Sequence, residues 1–474
     1  MDPVHIVVVI ALFVGFYMAW NIGANDVANA MGTSVGSRAL TLRGAVIAAA
    51  IFEFSGALLV GAHVTETLQG GIVVPELFAG KPDLLINGML AALLAAGILI
   101  QVASYCGWPV STTHAIVGAL LGFGLLAGGT AAISWGELGF IGLSWVISPL
   151  LAGLLGYGVF MVLRRQVLYA YDPVRAAKRL VPYFVFLVFA VFTLMVTFGG
   201  LHNLHLDMAL WSAMGISTLV GLVGAVGSAL ILRWRLKLPP PQETSPQHAA
   251  ALSVSLSKAA RHLQKAQFVA KGDLHDQLAK IAAEVDGWSR SATLELADQE
   301  TGSHRNKIEQ IFRYLQIMTG CSMAFAHGAN DVANAIGPLG AIVETATSGV
   351  ASLRTVVPIW MLVLGGVGIV LGLATWGWRV IETVGRKITE LTPTRGFAAE
   401  FGAATTIIVA SRMGLPISST HSLVGAVLGV GLARGMGALN LATLRDIGLA
   451  WVITIPGSAL LAMALYATIT YITT

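Results

Sequence analysis

Apolar runs of about 20 residues, the length that crosses a bilayer as helix, recur along nearly the whole chain, near 4–22, 44–62, 85–106, 114–128, 138–162, 181–200, 208–232, 311–330, 358–378, 396–412, 420–433 and 447–470. A span in lipid must satisfy its own backbone hydrogen bonds, which leaves helix as the solution for apolar runs of this length. Only 11% of the 474 residues are charged and 56% are hydrophobic, against roughly 25% charged in a soluble domain. The first run begins at Val4 with no basic segment or small-residue cleavage site before it, so it is expected to be retained as a span. The expected fold is an all-α polytopic membrane protein of about twelve transmembrane helices. Its net charge of +4 is spread over short loops, which fits cytoplasmic anchoring charge and not nucleic-acid binding.

Inside this apolar chain one costly octapeptide occurs twice, as Gly23-Ala24-Asn25-Asp26-Val27-Ala28-Asn29-Ala30 and again from Gly328 to Ala335, an offset of 305. Trp108-Pro-Val-Ser-Thr-Thr-His114 pairs with Leu415-Pro-Ile-Ser-Ser-Thr-His421 at 307, and Trp145-Val-Ile with Trp451-Val-Ile at 306. Seven spans separate the octapeptides, and an odd number reverses orientation. Loop charges agree. Glu66, Glu76 and Asp83 outweigh Lys81 after the second span, while its repeat-mate carries Arg379, Arg386, Lys387 and Arg395 against Glu382 and Glu390. The positive-inside rule puts the former outside and the latter, with Arg38, Arg43, Arg164, Arg165, Arg175, Lys178 and Arg179, inside. Both termini then lie outside. The pattern predicts an inverted-topology repeat with two re-entrant or broken hairpins, the architecture in which secondary transporters build a midplane site. The segments expected are 1–163 as the first repeat, 164–237 as linking transmembrane helices, 238–307 as a cytoplasmic helical loop and 308–474 as the second repeat. In the loop, after Pro239-Pro240-Pro241, Leu252, Leu256, Leu263, Leu274, Leu278, Ile281 and Val285 recur at helical spacing, predicting a helix pair that acts as a solvated connector.

Acids and amides within spans mark ion or substrate paths by default. Asn25, Asp26 and Asn29, and likewise Asn330, Asp331 and Asn334, share helix faces at i, i+3 and i+4 spacing, and their oxygens suit Na⁺ or another hard cation, with Asp also able to carry a proton. Gly23 ahead of them is expected to loosen the helix and free carbonyls. Ser111, Thr112, Thr113 and Ser418, Ser419, Thr420 follow a proline at a helix start, where hydroxyls and free N–H groups cradle an anion. His114 and His421 rank second, being equally suited to helix–helix hydrogen bonds. Glu53 and Glu400 break the repeat, since the same offsets put Pro358 and Leu93 opposite them; Glu53 is a candidate cation ligand, and Glu400 either that or an interfacial acid. Cys106 and Cys321 occupy unmatched positions, which argues against a disulfide framework or metal cluster.

These motifs resemble the inorganic phosphate transporter (PiT) family, whose signature is the twice-occurring Gly-Ala-Asn-Asp-Val-Ala-Asn. The resemblance extends to both Pro-(Val/Ile)-Ser-(Ser/Thr)-Thr-His hairpins, Thr33-Ser34-Val35-Gly36-Ser37 and Phe325-Ala326-His327-Gly328, but not to the central loop. It implies a cation-coupled phosphate symporter of the cell (inner) membrane, often dimeric, with no enzymatic activity and no cofactor beyond the coupling Na⁺ or H⁺. Carried over by residue, it implies phosphate bound by Asp26, Asn29, Ser111, Thr112, Thr113, Asp331, Asn334, Ser418, Ser419 and Thr420. Cations would be held by Asn25, Asp26, Asn330 and Asp331, with Glu53 and Glu400 matching acids that recur in the family. Sulfate or another oxyanion is the alternative cargo, and a membrane-embedded hydrolase using Asp26 and His114 a more distant one.

Overall fold

A computed structural model describes residues 3–62, 64–65, 72–198, 208–235, 246–299, 301–351, 357–381, 391–435 and 440–473. Glu66, Pro239, Pro240, Pro241, Glu382, Arg386, Lys387 and Glu390 lie outside these, so the loop-charge argument rests on them as sequence alone. The described residues are helical apart from turns and an isolated antiparallel bridge, Val73 to Ile133. Contacts divide the chain into a larger unit, Met1–Leu163, Tyr183–Ala225 and Phe312–Thr474, and a smaller one, Arg164–Pro182 and Val226–Ile311. The stretch 164–237 is thus shared between them.

In the larger unit α1 (Pro3–Gly36) is one unbroken helix of 34 residues, about 51 Å at 1.5 Å per residue. It is followed by α2 (Leu42–Val60), α3 (Pro82–Tyr105), α4 (Thr112–Gly128) and α5 (Trp135–Leu163). Later come α6 (Pro173–Thr197) and α7 (Leu210–Arg235), then α8 (Pro246–Val269) and α9 (Asp273–Gln299) of the smaller unit, and after them α10 (Thr301–Asp331), α11 (Ala333–Ser348), α12 (Ile359–Thr375), α13 (Pro393–Arg412), α14 (Ser419–Arg434) and α15 (Leu441–Thr473). Eight described helices are long and apolar enough to span a membrane. The twelve expected include second-half helices outside that set, because α14 has 16 residues and α13 carries Arg395, Glu400 and Arg412. The smaller unit contains α8 packed on α9, the helix pair that the leucine spacing predicts.

Packing crosses between the repeats. Helix α5 lies on α13 and α14, and α15 on α3 and α4, so each hairpin is backed by a helix from the other half of the sequence. Helix α1 lies on α12. There a Cβ at Gly23 would overlap the Ile369 carbonyl and one at Gly372 the Trp20 carbonyl, while a Cβ at Gly328 would overlap the Glu53 carbonyl and one at Gly56 the Phe325 carbonyl. Gly23 therefore does not loosen α1, as its position suggests in the sequence; it lets two backbones touch. The helical ladder loosens only in the second copy, at Val332 between α10 and α11, whose backbone stays helical while its N–H reaches the Gly328 carbonyl at 3.4 Å. These contacts also correct the repeat-mate of Glu53, which is Ile369 and not Pro358. The offset grows from 305 in α1 to 316 in α2 because the second repeat has more chain between its first two elements.

Candidate cation and anion site

The octapeptides and the hairpin starts meet in a buried lattice of reciprocal hydrogen bonds. Ser111 and Ser418 cap α4 and α14, their hydroxyls accepting from the backbone N–H of His114 at 3.2 Å and of His421 at 3.1 Å. Those two hydroxyl oxygens, expected to face an anion, thus serve helix termini. The next residue of each hairpin points at an aspartate: Thr112 Oγ1 donates to Asp26 Oδ2 at 2.6 Å, and Ser419 Oγ to Asp331 Oδ2 at 2.7 Å. The third crosses between hairpins, Thr113 Oγ1 donating to the Ile417 carbonyl and Thr420 Oγ1 to the Val110 carbonyl. Amides complete the lattice. Asn29 Nδ2 donates to Asp26 Oδ1 at 2.9 Å and to Thr420 Oγ1 at 2.8 Å, and Asn334 Nδ2 reaches Thr112 and Thr113 of the opposite repeat.

Asn25 and Asn330 clamp the hairpin turns. Asn25 Nδ2 donates to Ser104 Oγ and the Trp108 carbonyl while its Oδ1 accepts from Val110 N–H. Asn330 Nδ2 donates to the Ile417 carbonyl at 2.9 Å and to Asp331 Oδ1 at 2.6 Å, and Ser411 Oγ lies 3.5 Å from Asn330 Oδ1. The partners Ser104 and Ser411 match at the hairpin offset of 307, so a search for registered polar residues upstream of each hairpin would have found them.

Between the two aspartates stands His327, part of the Phe325-Ala326-His327-Gly328 motif, to which the sequence pattern assigns no role. His327 Nε2 is 2.9 Å from Asp331 Oδ2 and 3.8 Å from Asp26 Oδ2, and its Nδ1 is 3.2 Å from Glu53 Oε1, all with fully buried side chains. Asp26, His327 and Asp331 form a group close enough to share one cation; Glu53 touches it through His327. At the 305 offset His327 faces Ile22, so the symmetry search that found the aspartates passes it by. Burying three acids around one imidazole is costly unless further positive charge or protons join them.

Glu400, expected as either a cation ligand or an interfacial acid, sits inside the helix packing. Its side chain is fully buried and accepts from Thr33, from Ser34 Oγ at 2.7 Å, from Thr319 Oγ1 at 2.8 Å and from Gln316 Nε2 at 3.4 Å. Ser37 Oγ reaches the Gln316 amide oxygen at 2.6 Å. At matching offsets the second-copy partners of Thr33, Ser34 and Ser37 are Pro338, Leu339 and Ile342, and the first-copy partners of Gln316, Thr319 and Glu400 are Ala11, Val14 and Leu93. The packing keeps that register, since a Cβ at Gly15 would meet Leu339 where one at Gly320 would meet Ser34 and Glu400. A polar pocket in one half is an apolar core in the other. Thr33 and Ser34 belong to the quoted motif tail; Gln316 and Thr319 were legible only as polar residues three apart in an apolar run.

His114 and His421 follow the hydroxyl residues by one position in each helix. Their ring centroids are 4.4 Å apart, His114 is 4.0 Å from the Trp145 ring, and His421 is 3.6 Å from that of Trp451.

A polytopic helical protein that joins a buried acid cluster to two capped helix starts, one from each copy of the repeated motif, is by the family it matches a transporter and not an enzyme. The chain belongs to the phosphate transporter family, whose model matches residues 22–462. It is 46% identical to the chloroplastic inorganic phosphate transporter 2-1 of Arabidopsis thaliana over 95% of this chain and 70% of that one. It is 43% identical to a putative phosphate permease of Chlamydia pneumoniae over 97% of each. A solved structure described as the sodium-dependent phosphate transporter is similar at 36% identity and TM-score 0.79, covering 98% of this chain and 99% of that one.

Proposed function

We propose that the protein imports inorganic phosphate by symport with cations, Na⁺ being favoured by the name of its structural relative, through alternating access of an inverted repeat. The observation that carries this is that Thr112 and Ser419 each donate a hydroxyl proton to an aspartate that also faces His327. A hydroxyl proton serves one good acceptor at a time. When a phosphate oxygen takes it, the aspartate oxygen is released for a cation, so anion and cation binding favour each other without touching. The capped N-termini of α4 and α14 add N–H groups and dipoles that suit an oxyanion. Asn25, Asn29, Asn330 and Asn334 position these groups, and Glu400 with Thr33, Ser34 and Thr319 offers a second set of oxygens for a cation.

Charge requires the coupling. Bringing one negative charge inward against 100 mV costs ~2.3 kcal/mol, and a phosphate dianion about twice that. The expected setting is the cell (inner) membrane, with both termini outside, α8 and α9 cytoplasmic and two copies paired. Uptake of radiolabelled phosphate into proteoliposomes under separately imposed Na⁺ and H⁺ gradients tests the proposal. Accumulation under an inward Na⁺ gradient supports it; accumulation of sulfate in preference to phosphate, or none under either gradient, overturns it.

A further inference from the structure

Four rings, two of them from the histidines next to the hydroxyls in sequence, form one continuous ring-contact stack, Trp145, His114, His421 and Trp451, tilted at its ends and edge-on between the two histidines, running through the contact between the two hairpins. Both histidines are almost wholly buried, at 3% and 4% exposure. The stack is also stitched across the repeats: Trp145 Nε1 donates to the Pro416 carbonyl at 3.4 Å, and His421 Nδ1 lies 3.3 Å from the Trp145 carbonyl. One residue earlier in each helix, Thr113 and Thr420 donate to the opposite hairpin's carbonyls. Each histidine therefore shares a helical turn with the hydroxyls of its own hairpin, and its ring edge meets the ring of the other. Close-packed interiors transmit such contacts as fixed distances.

We propose that this stack sets the width of the oxyanion cradle, so that His114 and His421 are positioning residues that discriminate among tetrahedral anions by size. The inference rests on the assignment of the hydroxyl cluster to phosphate. Hydrogen bonds weaken steeply outside their narrow distance range, so a cradle held at one width favours one anion radius. Loosened, it admits a larger anion with less penalty.

At alkaline pH, where both are dianions, thiophosphate isolates the effect, because it keeps the tetrahedral shape and charge of phosphate while replacing one oxygen with a larger atom. Equilibrium binding of radiolabelled phosphate to the purified full-length protein, competed by thiophosphate, gives the preference directly and needs no transport. In His114→Ala and His421→Ala the preference for phosphate should fall about tenfold, the lower end of what a tight pocket achieves by size alone, while His→Phe variants, which keep a ring, retain it. His114→Leu and His421→Leu fill most of the volume without a planar ring and are read in the same way if the alanine variants do not fold. A preference unchanged within about twofold, well under the 1.4 kcal/mol that a tenfold change represents, or an equal loss of affinity for both anions, overturns the proposal. Thr112→Val separates the two levels: if it leaves phosphate affinity intact, the cradle assignment itself fails whatever the histidine variants do.

Discussion

At the scale of single residues, neighbours within one motif divide their work. Asp26 and Asp331 each accept a hairpin hydroxyl and face His327, so Asp26→Asn and Asp331→Asn should each abolish gradient-driven phosphate uptake in proteoliposomes while leaving the protein inserted and monodisperse. The amide keeps the shape and loses the charge that balances a cation. Ser111 and Thr112 are adjacent yet separable. Thr112→Val removes a donor available to the anion, worth roughly 1.5–3 kcal/mol for a charged partner and hence at least a tenfold rise in phosphate KM. Ser111→Ala removes a helix cap and should instead lower thermal stability by about 0.5–2 kcal/mol with a smaller change in KM. Equal KM effects in the two variants would place Ser111 on the anion as well.

At the scale of elements, the crossings are governed by glycine. A Cβ at Gly372 would overlap the Trp20 carbonyl; overpacking costs about 1–3 kcal/mol, more than the ~1 kcal/mol that alanine returns in helix propensity. Gly372→Ala should therefore lower the melting temperature, and Gly142→Ala, which meets open space, should leave it level or raise it. The elements and the aspartates were legible from the sequence because apolar length and exact repetition are local signals. Gln316 and Thr319 were not, because repetition finds only what both halves share, and these belong to one; His327 stood in a quoted motif, but repetition gave it no role because Ile22 faces it in the other half. The role of Gly23 was misjudged for a related reason: a glycine that loosens a helix and one that admits another backbone look alike until the neighbour is known. The mate of Glu53 was misassigned because a constant offset takes no account of added chain between elements.

At the scale of the whole molecule, the larger unit holds every residue assigned to the site, and the helix pair of the smaller unit repeats none of its motifs. Replacing 246–299 by a flexible linker should preserve insertion and leave uptake with at most a modest loss of rate. A deleted protein that inserts, folds and transports nothing would make the pair an obligatory gate. The one-sided pocket around Glu400 bears on energetics that no single site reveals. A carrier whose halves were chemically identical would spend equal time facing each compartment, because exchanging the halves would turn one state into the other. Here one half keeps a hydrogen-bonded acid where the other keeps Leu93, and under the proposed alternating-access cycle that inequality is expected to tilt the resting distribution even with no gradient applied. Glu400→Leu restores the match at that position. Accessibility of cysteines placed at the two mouths should then become more nearly equal, so that the directional preference of this machine is traced to a chemical difference between its two copies and not to the membrane around it.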